Sequence, residues 1–190
     1  MKRLLQSPDT RVWLAVVGSA TLVLGAAYGM VQQSTRLAAN ESPLAAIQSA
    51  KTLIEKGAAP ESAVPNANIN IRTNDNLFII VTDREAKLLA GSAFLDDRVP
   101  LPPRGVFDYT KTHGLDKVTW EPAAGVRLAT VVSTYKTASG SEGFIVVGQS
   151  LRSVEERIKT STLVAVAAWL AAIAWATLVL LLPRLDKKTK

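Results

Sequence analysis

The sequence predicts an α+β domain held between two transmembrane helices, and three observations carry that prediction. Residues 12–31 and 163–182 each form a run of twenty residues without a charge. Between them, short β-rich runs alternate with helical runs bounded by proline and glycine. The 190-residue chain is 48% apolar and only 20% charged, too apolar for intrinsic disorder.

A twenty-residue helix rises about 30 Å, the hydrocarbon thickness of a bilayer. As core helices the two runs would need a large protein around them, and 131 residues between them cannot enclose two such rods. A cleaved signal peptide is the competing reading of the first run, since Lys2 and Arg3 precede it and Leu37-Ala38-Ala39 offers a small-residue site. A signal h-region spans about 7–15 residues, so an uncleaved anchor fits the length better. The flanks set orientation. Residues 1–11 and 183–190 together hold seven basic and two acidic residues, a net of +5, whereas residues 32–162 hold 15 and 14. Positive flanks stay inside, so both termini are expected in the cytoplasm and residues 32–162 outside a plasma membrane. The formal charge of +6 is thus a topology signal with anionic lipid as its neighbour, and nucleic acid is not an expected partner.

The outer segment is read in order. Ser42-Pro43 resembles an N-cap with proline at the first helical position, and Leu44, Ile47, Ala50 and Ile54 follow at helical spacing until Gly57. This helix is expected to prolong the first span as a stalk. Residues 57–68, rich in Ala, Pro and Asn, read as a linker, so that 32–69 is stalk and linker and 70–150 the domain proper. Residues 77–82 read as a strand, 83–86 as a turn and 87–91 as a returning strand. The Val99–Pro103 stretch, with three prolines, is unsuited to a central strand. A helix from 104 to 113 closed by Gly114 comes next, then strands over 117–121, 125–135 and 143–147. Leu151, Val154 and Ile158 mark a juxtamembrane helix over 151–162 that runs into the second span at 163–182, followed by a basic tail at 183–190.

That order, carried by LFIIVTDREAKLLAGS (77–92), PPRGVFDY (102–109), VTWEPAAGVRLATVVSTY (118–135) and GFIVVGQSLRSVEERI (143–158), resembles a PAS/Cache-type extracytoplasmic sensor domain. Such domains form the outer part of two-span bacterial sensor kinases. The resemblance implies a PAS/Cache-like antiparallel sheet with flanking helices. It departs from the kinases in that eight residues follow the second span, so no kinase module is expected. In PAS-like domains small ligands lie between the sheet and its covering helices. The resemblance therefore nominates Tyr109, Trp120 and Arg127 as an aromatic wall plus a guanidinium suited to a carboxylate or phosphate. Against it, Trp120 reads equally as core, and Arg127 as a partner of Glu121 across a turn.

Other chemistry is poorly provided for. With no cysteine and one histidine, disulfides, thiolate chemistry and two-histidine sites are excluded. Ser133-Thr134-Tyr135-Lys136 has the S-x-x-K spacing of penicillin-binding enzymes, but on a strand the odd spacing puts serine and lysine on opposite faces. His113 suits a helix C-terminus, and Asp83, Asp96, Asp97 and Asp108 suit turns better than a calcium site. No enzyme activity, metal or cofactor is expected. In the spans, Gly25 and Gly29 form a GxxxG, and Ala168, Ala172 and Ala176 recur at spacing four, compatible with packing of the two spans or of two copies. The expected role is a ligand-sensing module that acts through a membrane partner or homodimer. The alternative is a ligand-free structural or assembly subunit of an envelope complex.

Overall fold

The computed structural model describes residues 8–38 and 40–186. The chain divides into a compact α+β unit, Thr35–Glu155, and a helical unit built from the segments on either side of it.

In the α+β unit, five antiparallel strands form one sheet: β2 (Phe78–Asp83), β3 (Leu88–Gly91), β5 (Leu115–Ala123), β6 (Val126–Lys136) and β7 (Glu142–Ser150), in the order β3-β2-β7-β6-β5. β2, β7 and β6 occupy its centre and are buried almost without a break because both of their faces are covered. Alternation sorts their side chains. Phe78, Ile80, Leu128, Val132, Phe144 and Val146 enter one core, and Ile79, Val81, Val131, Tyr135, Ile145 and Val147 the other. The first core is closed by α3 (Arg104–His113), whose Phe107 meets Phe144 edge-on at 5.1 Å. The second is closed by α2 (Glu41–Glu55) through Ile47, Ala50 and Ile54.

Two expectations about this region are corrected. α2 is no stalk. Ile47 and Ile54 are fully buried, and each such burial stabilises by about 1.5–3 kcal/mol, so the helix belongs to the core. Nor does Ser42 cap it: α2 begins at Glu41 after Asn40, which makes no side-chain cap bond. Pro43 still falls in the first turn, where its missing N–H leaves no intrahelical bond unmade. The supposed linker contains a 3-10 turn, Pro60–Ala63, with Ala63 buried against α2's core.

The α3 boundaries match the sequence, with Gly114 at φ 79° accepting the left-handed closing position. The β2–β3 hairpin is closed by Asp83, whose Oδ1 accepts from the Glu85 and Lys87 backbone N–H at 3.0 and 2.7 Å. β5 and β7 are longer than expected, whereas β6 has the expected length and is shifted by one residue. A further parallel pair, β1 (Ile69–Asn70) with β4 (Ala93–Phe94), lies over the first core. Gly148 sits opposite Phe78 because a Cβ there would come within 2.6 Å of the ring.

In the helical unit, α1 (Pro8–Ala38) and α4 (Arg152–Asp186, from Glu156 onward) contain two candidate membrane-spanning segments, Thr10–Thr35 and Arg152–Leu181. Almost none of their apolar surface is buried in the protein, unlike that of a soluble core helix. They run antiparallel. Trp13 Nε1–H donates to Thr177 Oγ1 at 3.2 Å, Trp169 Nε1–H donates to Thr21 Oγ1 at 2.8 Å, and Tyr28 and Thr162 share a hydrogen bond at 2.7 Å. The residue numbers of each rung sum to 190, which fixes one register along the pair. Gly25 and Gly29 do not lie at a close approach between these helices: a Cβ at either meets nothing within 4 Å. The basic residues Lys2, Arg3, Lys187, Lys188 and Lys190, on which the orientation argument leans, lie outside the described residues, as does Ala39 of the cleavage-site reading.

Candidate functional site

The edge strand β5 turns Trp120 toward the α3 side of the sheet, where it packs against the first core. Its indole N–H donates to the buried Thr130 Oγ1 at 2.9 Å, which fixes the ring plane. Beyond Trp120 the β5–β6 register shifts, and Gly125, at φ 74°, reverses the chain. Its N–H donates to the Glu121 carboxylate at 2.6 Å.

Facing Trp120 is the segment Leu95–Leu101. Leu95 and Arg98 exchange backbone hydrogen bonds at 2.8 and 3.0 Å around Asp96 and Asp97, both left-handed at φ 48° and 63°. Two positive φ values in the centre are the requirement of a tight hairpin turn, and aspartate tolerates it better than most residues. The prolines at 100, 102 and 103 then keep the following chain extended. Between the two walls is a cleft of about 510 Å³ lined by Leu95, Val99, Leu101, Trp120, Pro122 and the charged Arg98 and Asp96. Asp96 is ion-paired to Arg72 at 3.1 Å. Arg98 has no ion-pair partner among the described residues, so its guanidinium is available to the cleft. An aromatic wall and a free guanidinium on a rigid turn suit a small ligand bearing a carboxylate or phosphate.

The three nominated residues are not brought together. Trp120 lines the cleft. Tyr109 lies on the outer side of α3, half exposed and stacked on His113 at 3.9 Å. Arg127 has the parity of Val131 and Tyr135, so it leaves the sheet on the α2 side, opposite Trp120. There it pairs with Glu155 in the first turn of α4, and Glu121 is taken by Gly125 instead. The cation of the cleft is Arg98, which sequence reasoning missed. Its one signal was its place between an Asp-Asp turn and a proline-rich run.

A second cavity, about 310 Å³, is bordered by Lys51, Arg84, Lys111 and Lys136. Glu142 answers Arg84 and Lys136 at 3.8 and 3.6 Å, and Glu55 answers Lys51 at 3.9 Å, so most of its charge is already met. Tyr135 borders it too, donating to Thr82 O at 3.1 Å. Burial holds the Tyr135 hydroxyl above its ordinary pKa of 10.0, and the charges of Glu61 and Asp83 add to the effect. Ser133, 2% exposed, donates to Gly114 O at 3.1 Å, while Lys136 leaves the opposite face of β6. No cluster of three or more metal-ligating side chains occurs among the described residues.

The root of α4 is tied to the domain on two sides. Arg152 donates to the carbonyls of Arg72 and Thr73 at 3.1 and 2.9 Å and is ion-paired to Asp75 at 3.0 Å. Leu151 N–H donates to Arg127 O at 2.9 Å, next to the Arg127–Glu155 pair. No family model matches the chain, and no curated protein matches it at a significant level.

Proposed function

We propose that this chain is a membrane-anchored extracytoplasmic sensor of the PAS/Cache-like kind, which binds a small anionic ligand in the Trp120 cleft and acts through a membrane partner. One observation carries the reading. Asp96, on the cleft wall, is ion-paired to Arg72, and the Arg72 carbonyl is held by Arg152 at the start of α4. Two polar contacts therefore separate the ligand-facing turn from the helix that contains the second candidate span. The five-stranded antiparallel sheet with helices on both faces supports the fold assignment, and the basic flanks support an orientation with both termini inside. Occupancy would bias the 72–75 loop between two arrangements, and α4 would transmit that bias by its position against neighbouring helices.

The test is thermal melting of the full chain in detergent with a panel of dicarboxylates and phosphate esters. A ligand at a hundredfold excess over its Kd stabilises by about 2.7 kcal/mol, a readable shift in Tm. Arg98→Gln and Trp120→Ala should abolish the shift. A panel that moves nothing removes the ligand-sensing reading.

One observation favours the assembly-subunit reading. Leu88 and Leu89 are 38% and 40% exposed on the edge strand β3, where a protein partner would cover them. Under that reading, crosslinking in native membranes captures a stoichiometric partner that is lost in Leu88→Lys and retained in Arg98→Gln.

A further inference from the structure

We propose that the groove between α1 and α4 on the Arg157 side binds one anionic phospholipid, with its phosphate on Arg157 and an acyl chain along Leu24, Ala27, Val164 and Ala168. The proposal rests on reading both helices as membrane spans. Two grooves lie along the paired helices, and they differ in one respect. The first, about 240 Å³, is lined by residues such as Thr21, Gly25, Val166 and Trp169 and has no acidic or basic side chain. The second, about 360 Å³, is apolar along its length and ends at Arg157. A bilayer must fill both, but only the second offers a charge to the lipid that fills it.

The depth of that charge matches a headgroup. Arg157 precedes the uncharged run 163–182 by six residues, about 9 Å of helix. Headgroup regions occupy roughly 5–8 Å on each side of the hydrocarbon, and an arginine side chain snorkels over the difference. The guanidinium has no ion-pair partner among the described residues. The hydroxyls beside it are engaged, since Thr160 donates to Glu156 O at 3.0 Å and Ser161 donates to Arg157 O at 2.9 Å. Arg157 is therefore the donor left for a phosphodiester, which it fits as a two-pronged fork. The volume is at the low end of small-molecule sites, room for one chain beneath the phosphate.

The experiment is native mass spectrometry of the full chain in a nonionic detergent, with phosphatidylglycerol and phosphatidylcholine as probes. The expected result is one phosphatidylglycerol per chain, held about tenfold more tightly than phosphatidylcholine, whose phosphodiester can also meet Arg157 but whose choline cation is repelled by the guanidinium. Arg157→Gln should bring the two lipids level. Ala168→Leu should weaken both by filling the groove, and Lys159→Gln, outside it, should change neither. Equal retention of both lipids by the unmodified chain, or an equal loss in Lys159→Gln, overturns the site in favour of diffuse charge. Alkaline extraction of cell membranes reads the underlying assumption separately. A chain released into the wash is not membrane-spanning, whereas one that stays but shows no lipid preference loses only the Arg157 site.

Discussion

The guanidinium of Arg152, the first residue of α4, grips the carbonyl of Arg72 at 3.1 Å, while the Arg72 side chain reaches away to Asp96 in the cleft turn. The same arginine also holds Thr73 O and Asp75, so a four-residue loop is closed around one cation. Arg152→Gln should loosen this loop without unfolding the sheet. Its side chain is 46% exposed, which limits the loss to about 1 kcal/mol. Amide exchange over residues 72–75 should quicken by roughly fivefold, with the amides of β6 and β7 unchanged. Unchanged exchange in the loop would remove this link from the proposed route between the cleft and α4.

Arg98 and Trp120 should separate ligand recognition from stability. Arg98→Gln, at an exposed and unpaired position, should leave stability within about 0.5 kcal/mol while removing stabilisation by anionic ligands. Trp120→Ala strips an aromatic from the first core and orphans Thr130, so a cost of about 2–4 kcal/mol is expected in denaturant melts.

Gly143 admits no side chain. A Cβ there would lie 2.2 Å from the Thr82 carbonyl and 2.7 Å from the Tyr135 hydroxyl. Gly143→Ala must push β2 from β7 and break the Tyr135–Thr82 bond, for a loss of about 2–3 kcal/mol. Gly140→Ala, in the exposed β6–β7 turn, should cost less, through its left-handed φ of 88° alone. Equal melting midpoints for the two variants would contradict the crowding argument.

Tyr135 makes stability pH-dependent on the alkaline side. Its hydroxyl titrates above the ordinary 10.0 in the folded chain, mainly through burial, so above pH 10 the unfolded state releases a proton that the folded state keeps. Stability is full below pH 10 and falls as pH rises above it. Tyr135→Phe should flatten that decline relative to the unmodified chain, measured by Tm between pH 9 and 11.

The absence of native cysteine allows the register of the helical unit to be read directly. Thr21→Cys with Trp169→Cys, a hydrogen-bonded rung, should join efficiently through a short thiol crosslinker. Thr21→Cys with Trp175→Cys, displaced by six residues or about 9 Å, should not. Equal yields would mean that the two helices do not keep the register of the three rungs.

Local signals made much of the architecture legible. The prolines at 102 and 103 and Gly114 bracket α3 because each restricts or frees one backbone angle at a helix end. The β2–β3 hairpin was readable from its apolar run and its Asp83 turn for the same reason. β1 and β4 were not, since two residues carry no periodicity and these exist only by pairing across 24 residues of chain. α2 shows the same limit in another form. Its apolar spacing was plain, but the spacing of an amphipathic helix is identical whether it faces lipid, a partner or its own sheet.

What the sequence determined alone was the inventory: two uncharged twenty-residue runs, their basic flanks, and the strands and helices between them. Those features are properties of consecutive residues, written in charge and in period. Only the tertiary structure decided that Arg127 serves the root of α4 while Arg98 faces Trp120. A strand's alternation says that neighbours part to opposite faces, but not which face the chain will cover. That choice is made by whatever packs there, and here α2 took the face of Arg127 and left the cleft to Arg98.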